Sequence, residues 1–217
     1  MTTESSNGFD RLLTGYRRFR ATGWDDNRKR WEHLRDGQTP ETMIIACSDS
    51  RVDPSQIFDV DPGEIFVVRN VAALVPPFET SPGRHGVSAA LEFAVQFLKV
   101  KEVLVMGHGR CGGCKAALTQ EMHGQELGLG GFVANWISML DEVREPIARQ
   151  FGIDGRAAEQ EMERAAVKVS LTNLRTFPCI REKEADGTLR LRGALFAISD
   201  GILHVLNEQS GDFSAID

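Results

Sequence analysis

Residues 42–54 read TMIIACSDSRVDP, and the fold follows from how that stretch begins and ends. Met43-Ile44-Ile45-Ala46 is an unbroken apolar run, the pattern of a strand buried on both faces rather than a half-exposed one. Asp53-Pro54 reads as an N-cap followed by a first-turn proline, which opens a short helix. The same kind of run returns at Ile65-Phe66-Val67-Val68 and at Val103-Leu104-Val105-Met106. Between those two, Val87, Leu91, Ala94, Val95 and Leu98 recur at helical spacing. Strand, crossover helix and strand again is the βαβ unit of a parallel sheet.

Downstream, Val133, Trp136, Ile137, Leu140, Val143 and Ile147 line one helical face. Met162, Ala166 and Val169 mark a further helix, ended by Pro178. Ala194 to Ser199 and Ile202 to Leu206 flank Asp200-Gly201, a hairpin signal. Upstream, the first eight residues are polar and expected to be disordered. Residues 9–35 form two helical stretches, carrying Phe9, Leu12, Leu13, Tyr16 and Phe19, then Trp24, Trp31 and Leu34. An arm with so little core of its own should pack on a second subunit. The chain is therefore expected to be one α/β domain over residues 1–217. Its mostly parallel central sheet is flanked by helices, with a C-terminal antiparallel hairpin strand and an N-terminal helical arm at 9–35.

Composition removes several function classes. The 217 residues carry a formal net charge of −6, and no basic patch stands out to meet a nucleic acid. No apolar run approaches the ~20 residues of a membrane span. The opening MTTESSNGFDRLL lacks the apolar segment of a secretory signal, so a cytoplasmic protein is expected. Four cysteines in such a chain point to metal binding or catalysis before a disulfide framework.

Cys47 directly follows the first apolar run, and His108 lies two residues past the third. In an open parallel sheet the carboxyl ends of the strands face one crevice, so their 61-residue separation need not keep them apart. Cys111 stands at the start of the helix running through Lys115, Ala116, Ala117 and Leu118, where a helix N-terminus should depress its thiol pKa. Cys47, His108 and Cys111 make a Cys2His zinc set, with a fourth position left to water as in catalytic sites. Asp49 and Arg51 share the loop CSDSR. A carboxylate fixed by the guanidinium there can accept a hydrogen bond from reacting water. Two other readings of the same residues stand. Cys114 can complete a closed Cys3His structural zinc site, since Cys111-Gly112-Gly113-Cys114 has the C-x2-C spacing. The CGGC stretch also reads as a redox pair, although that leaves Cys47, Asp49 and His108 without a role. His33, His123 and His204 read as surface or packing residues, and His85 as a helix-cap residue.

Taken in order, ACSDSRVDP (46–54), PGEIFVVRNVAALVPP (62–77), HGVSAALEFAV (85–95) and GHGRCGGCKAAL (107–118) resemble the β-class carbonic anhydrases. With LTNLRTFPCIRE (171–182) and SDGILHVL (199–206), the resemblance covers nearly the whole chain from about residue 10. It implies zinc bound by Cys47, His108 and Cys111, one ion per chain, with Asp49 and Arg51 as the catalytic dyad. It also implies reversible hydration of carbon dioxide to bicarbonate and a proton. A heterocumulene such as carbon disulfide or carbonyl sulfide is the alternative substrate for the same site. The family forms dimers or multiples of dimers, so a homodimer or tetramer of dimers is implied, with N-terminal helices draped over the neighbour and the pocket at that interface. Gln38, Phe66, Val71 and Gly112 match its substrate-binding positions. Arg110, Phe93 and Cys114 depart from the residues common in relatives. Ile44 stands where members regulated by a non-catalytic bicarbonate site carry tryptophan, which implies the unregulated, plant-like subtype.

Overall fold

The computed structural model describes residues 7–216. Residues 7–38 and 39–216 belong to two compact units.

In the N-terminal unit, Asn7 accepts a hydrogen bond from the Asp10 amide and caps α1 (Gly8–Arg18). The expectation of disorder over the first eight residues thus fails at Asn7 and Gly8, because a capped helix begins there. Residues 1–6 lie outside the described residues. The helix continues through a π-helical stretch, Phe19–Gly23, into α2 (Trp24–Asp26), and α3 (Arg28–Leu34) follows after Asn27. Trp24 and Trp31 stack with ring centroids 5.3 Å apart, and Phe19 meets both edge-on. No residue of these helices is fully buried, as an arm without its own core requires.

The second unit is built on one six-stranded sheet of order β2-β1-β3-β4-β5-β6. Strands β1 (Thr42–Cys47), β2 (Ile65–Asn70), β3 (Glu102–His108) and β4 (Arg190–Ala197) are parallel neighbours. The first three are the apolar runs expected from the sequence. β5 (Ile202–Asn207) returns antiparallel through the Asp200-Gly201 turn, with Gly201 at φ +76°. A further antiparallel strand, β6 (Asp212–Ala215), extends the sheet beyond the expected hairpin. Its four residues and lone half-buried Phe213 leave no readable periodicity.

Asp53 accepts from the Ser55 amide and caps α4 (Pro54–Ile57), with Pro54 in the first turn. The crossover helix α5 (Gly86–Glu92) starts after His85 and runs on as a π-helical stretch, Phe93–Leu98. After α6 (Gly112–Thr119), the single apolar face expected at 133–147 divides. It forms α7 (Gly131–Ile137), a tight 3-10 turn at Ser138–Leu140 and α8 (Asp141–Phe151). The turn breaks the helical repeat while keeping Leu140 fully buried. The 19-residue α9 (Arg156–Leu174) crosses β3 and β4, and ends before Pro178. Pro178 instead begins α10 (Pro178–Ala185), in the position where a missing N–H costs nothing.

Of three apolar clusters in the core of this unit, the smallest gathers Ile44, Ala46 and Met106, and two are larger. One gathers Met43, Ile45, Val103 and Val105 with Leu91, Val95, Val167 and Leu171. The other gathers Cys47, Val52, Leu74, Leu118, Leu140 and Met162. Glycines at the strand–helix contact let α9 approach closely: a Cβ on Gly107 or Gly193 would lie 2.8 or 2.9 Å from a Val167 methyl.

Candidate functional site

β1 and β3 are adjacent and parallel, with Ala46 in register with Met106, so both deliver their last residues to the same sheet end. Those residues are Cys47 and His108. Three residues after His108, Cys111 caps α6 in extended conformation. The Sγ atoms of Cys47 and Cys111 and a ring nitrogen of His108 lie within 4.8 Å of one another, and all three residues are buried.

The donor chemistry fits a zinc ion. His108 Nδ1 lies 2.9 Å from the Gly109 carbonyl, which can only accept, so Nδ1 carries the proton and Nε2 keeps its lone pair. That Nε2 is buried and has no hydrogen-bond partner among the described residues. Tetrahedral zinc places two sulfurs about 3.8 Å apart, a spacing this cluster accommodates. Hydrogen bonding from Cys111, then burial, pushes the Cys47 thiol up to about 12. Hydrogen bonding from Cys114 leads the same rise to about 12 at Cys111. The expected depression of the Cys111 thiol by its helix is thus reversed: Cys114 and burial outweigh both the Cys47 contact, which lowers it, and the N-terminus of a helix of only eight residues. Two such thiols ionise together only against a divalent cation that replaces their protons.

Cys114 lies buried in α6. Its free thiol shares a hydrogen bond with that of Cys111 but falls outside the group of donor atoms that gathers Cys47, His108 and Cys111.

Asp49 stands beside this group with Oδ2 4.0 Å from His108 Nε2. Arg51 holds the carboxylate from three donors. Its backbone N–H and Nε reach Oδ1 at 2.9 Å each, and Nη2 reaches Oδ2 at 2.6 Å. These bonds hold Asp49 well below the usual carboxylate range. The Asp49 side chain is 18% exposed, enough for a small molecule to touch it.

Arg69, which sequence reasoning passed over, ties the loop together. Its Nε donates to the Cys47 carbonyl at 2.9 Å, Nη2 to the Asp49 carbonyl at 2.6 Å, and Nη1 to the Asp53 carboxylate at 2.9 Å. The signal was a lone cation ending the apolar run of β2. Glu163 was also missed; it accepts from the Arg110 amide at 2.6 Å. Arg110 itself lines a cleft of about 410 Å³ with Arg156, Arg164 and His204.

The expected substrate-binding positions divide. Val71 follows β2 and is partly exposed; its carbonyl accepts from Trp136 Nε1 at 2.8 Å. A Cβ on Gly113 would lie 2.7 Å from Val71 Cγ1, so Val71 abuts the start of α6, where Gly112 faces open space. Phe66 is not brought to the donors of its own chain. It pairs with Met43, four rungs from the Cys47–Asn70 pair, or about 13 Å along the strand. There the half-buried Phe66 meets Phe93 at 5.9 Å, and Phe93 stacks on Phe97 at 5.7 Å, these last two being exposed. Gln38 is exposed at the end of the N-terminal unit.

Comparison with known proteins agrees with this geometry. A family model described as carbonic anhydrase matches residues 42–203, which include every donor above. Beta carbonic anhydrase 5, chloroplastic, of Arabidopsis thaliana is 36% identical over 195 residues, 88% of this chain and 62% of the plant protein. The chain therefore spans less than two thirds of that relative's length. Among solved structures, the β-carbonic anhydrase CcaA superposes with a TM-score of 0.89 at 29% identity, covering 97% of this chain and 100% of that one. Structures of two tetrameric β-carbonic anhydrases from Sordaria macrospora match with a TM-score of 0.78 at 29% identity, covering 93% and 98%. Strand ends, donor set and clamped carboxylate thus lie inside a matched region, and the chain belongs to the β-carbonic anhydrase family.

Proposed function

We propose that the chain is a zinc carbonate dehydratase, hydrating carbon dioxide reversibly to bicarbonate and a proton. Cys47, His108 and Cys111 are its metal ligands, and Asp49 and Arg51 its catalytic pair. The observation that carries this reading is the Asp49 carboxylate, fixed by Arg51 and 4.0 Å from the free nitrogen of His108. Zinc held by these donors supplies a Lewis acid and lowers the pKa of water from 15.7 toward about 7. Asp49, clamped by Arg51, can only accept: it takes a hydrogen bond from the reacting water and turns the lone pair toward the carbon. Arg69 bonds the carbonyls of both Cys47 and Asp49, so ligand and acceptor are positioned as one body. Val71 offers an apolar wall, which suits a substrate without a net dipole.

Assembly into a homodimer or a tetramer of dimers supplies the rest of the pocket. The exposed Val71, Phe93 and Phe97 and the tetrameric S. macrospora relatives support it. In such an assembly Phe66 and Gln38 act from the neighbouring copy. Ile44, buried between Val67 and Leu104, supports the unregulated, plant-like subtype. Four free cysteines suit the reducing cytoplasm; no described helix is long and apolar enough to cross a membrane.

Stopped-flow CO2 hydration on zinc-quantified protein tests this reading. Wild type should turn over near pH 7 and near pH 8.5, values that bracket the lowered water pKa. Asp49→Ala should keep one zinc per chain and lose about 100-fold or more in rate. Cys114→Ser should keep both zinc and activity. Near-normal turnover by Asp49→Ala would overturn the dyad, and loss of zinc from Cys114→Ser would establish a closed structural site instead.

A further inference from the structure

His108 and Cys111 are separated by Gly109 and Arg110, and the path of those two residues sets how far apart the ligands stand. Arg110 has φ +56°, in the left-handed region that residues with a Cβ avoid. Its amide points to Glu163, a carboxylate only 2% exposed in the interior of α9. Glu163 Oε1 accepts that N–H at 2.6 Å. The same carboxylate is gripped from the other side by Arg156, with Nη1 on Oε1 at 2.7 Å and Nη2 on Oε2 at 2.9 Å. The guanidinium lies over Gly109, where a Cβ would meet its Nη2 at 3.3 Å. On its far side, the Arg110 carbonyl accepts from Arg51 Nη2 at 3.2 Å, the same nitrogen that holds Asp49 Oδ2.

We propose that Glu163, fixed by Arg156, is a positioning residue that holds the Arg110 backbone in its left-handed conformation, setting both the His108–Cys111 spacing and the anchor of Arg51. A buried carboxylate and a strained residue are each unfavourable alone, and here each is met by the other. The chain of contacts runs from Arg156 through Glu163 and the Arg110 peptide to Arg51 and Asp49. The proposal rests on the dehydratase reading for its effect on turnover, whereas its effect on metal retention is independent of that reading.

The test is a backbone rescue, read as the rate of zinc transfer from the loaded protein to a chromogenic chelator, with kcat and KM measured alongside. Glu163→Ala should release zinc about 10- to 100-fold faster and lower kcat more than it raises KM. Adding Arg110→Gly, which adopts φ +56° without support, should restore retention toward wild type. Adding Arg110→Ala, which removes the side chain but keeps the Cβ, should not. Where Glu163→Ala fails to fold, Glu163→Gln keeps one oxygen for the Arg110 amide but breaks the bidentate grip, and its zinc release should still quicken and still be rescued by glycine alone. Wild-type release rates from the Glu163 variants, or equal rescue by alanine and glycine, would overturn the proposal. Wild type without CO2 hydration would remove the dehydratase reading yet leave the zinc-release contrast to stand or fall by itself.

Discussion

Gly107→Ala tests whether the closeness of α9 to the sheet is set by the lack of a side chain next to His108. A Cβ at 107 would lie 2.8 Å from Val167 Cγ2, about 1 Å inside ordinary carbon–carbon contact. Neither partner yields easily. Val167 is buried within α9, where a β-branched side chain has one strongly favoured rotamer. Gly107 is held in register with Leu195 of β4. Overpacking of this kind costs about 1–3 kcal/mol, against ~0.5–1 kcal/mol gained by removing a glycine from a strand. The net loss is about 1–2 kcal/mol, or roughly 2–8 °C in Tm for a chain of this size. Val167→Ala alone deletes two methyl groups and costs about 1.5 kcal/mol plus the cavity left behind. In the double variant the added methyl refills part of that space, so its loss should fall short of the summed single losses by about 1 kcal/mol or more. Urea unfolding of zinc-loaded protein at one fixed protein concentration measures this coupling. Additivity within ~0.5 kcal/mol would refute the reasoning.

Ser170, fully buried in α9, accepts from the Val75 amide and donates to the Ala73 carbonyl, both at 3.2 Å. Ser170→Ala strands both groups and should cost about 1–3 kcal/mol in urea unfolding, with zinc content unchanged. Asp186 is held below its ordinary 3.8 by the hydroxyl, then the amide, of Thr188. A depressed folded pKa means stability that is present above the unfolded value and lost as pH falls through the folded one. Asp186→Asn should therefore flatten the decline in stability between about pH 5 and pH 3, measured by unfolding at each pH; an unchanged slope would refute the assignment.

The parallel half of the sheet was legible because its strands are buried on both faces, which leaves apolar runs such as Met43–Ala46 that need no partner to recognise. The donors were legible for a related reason: Cys47 and His108 end such runs, and strand ends share an edge. What lay beyond local pattern was missed. Glu163 is one of three glutamates spaced two apart in Glu159–Glu163, and only the packing of α9 distinguishes the one that faces the ligand loop. Phe66 sits in the right motif, yet strand register carries it four rungs from its own chain's donors. The Cys111 thiol followed Cys114 and its own burial rather than its helix, an outcome that the C-x2-C spacing alone does not display.

The register of β1 on β3 also decides where this chain tolerates added or lost length. Sixty-one positions separate Cys47 from His108, but the two meet through the ladder of adjacent strands, so the route between them carries no metric information. Segments such as residues 77–84, exposed throughout, can take insertions at small entropic cost without moving either donor. A single-residue insertion inside β1 or β3 would instead turn every later side chain to the opposite face. The two-residue interval before Cys111 is equally intolerant, since one more residue would displace both the Arg110 peptide and the start of α6. Length variation among related chains should therefore gather in the crossover and be absent from these three short segments.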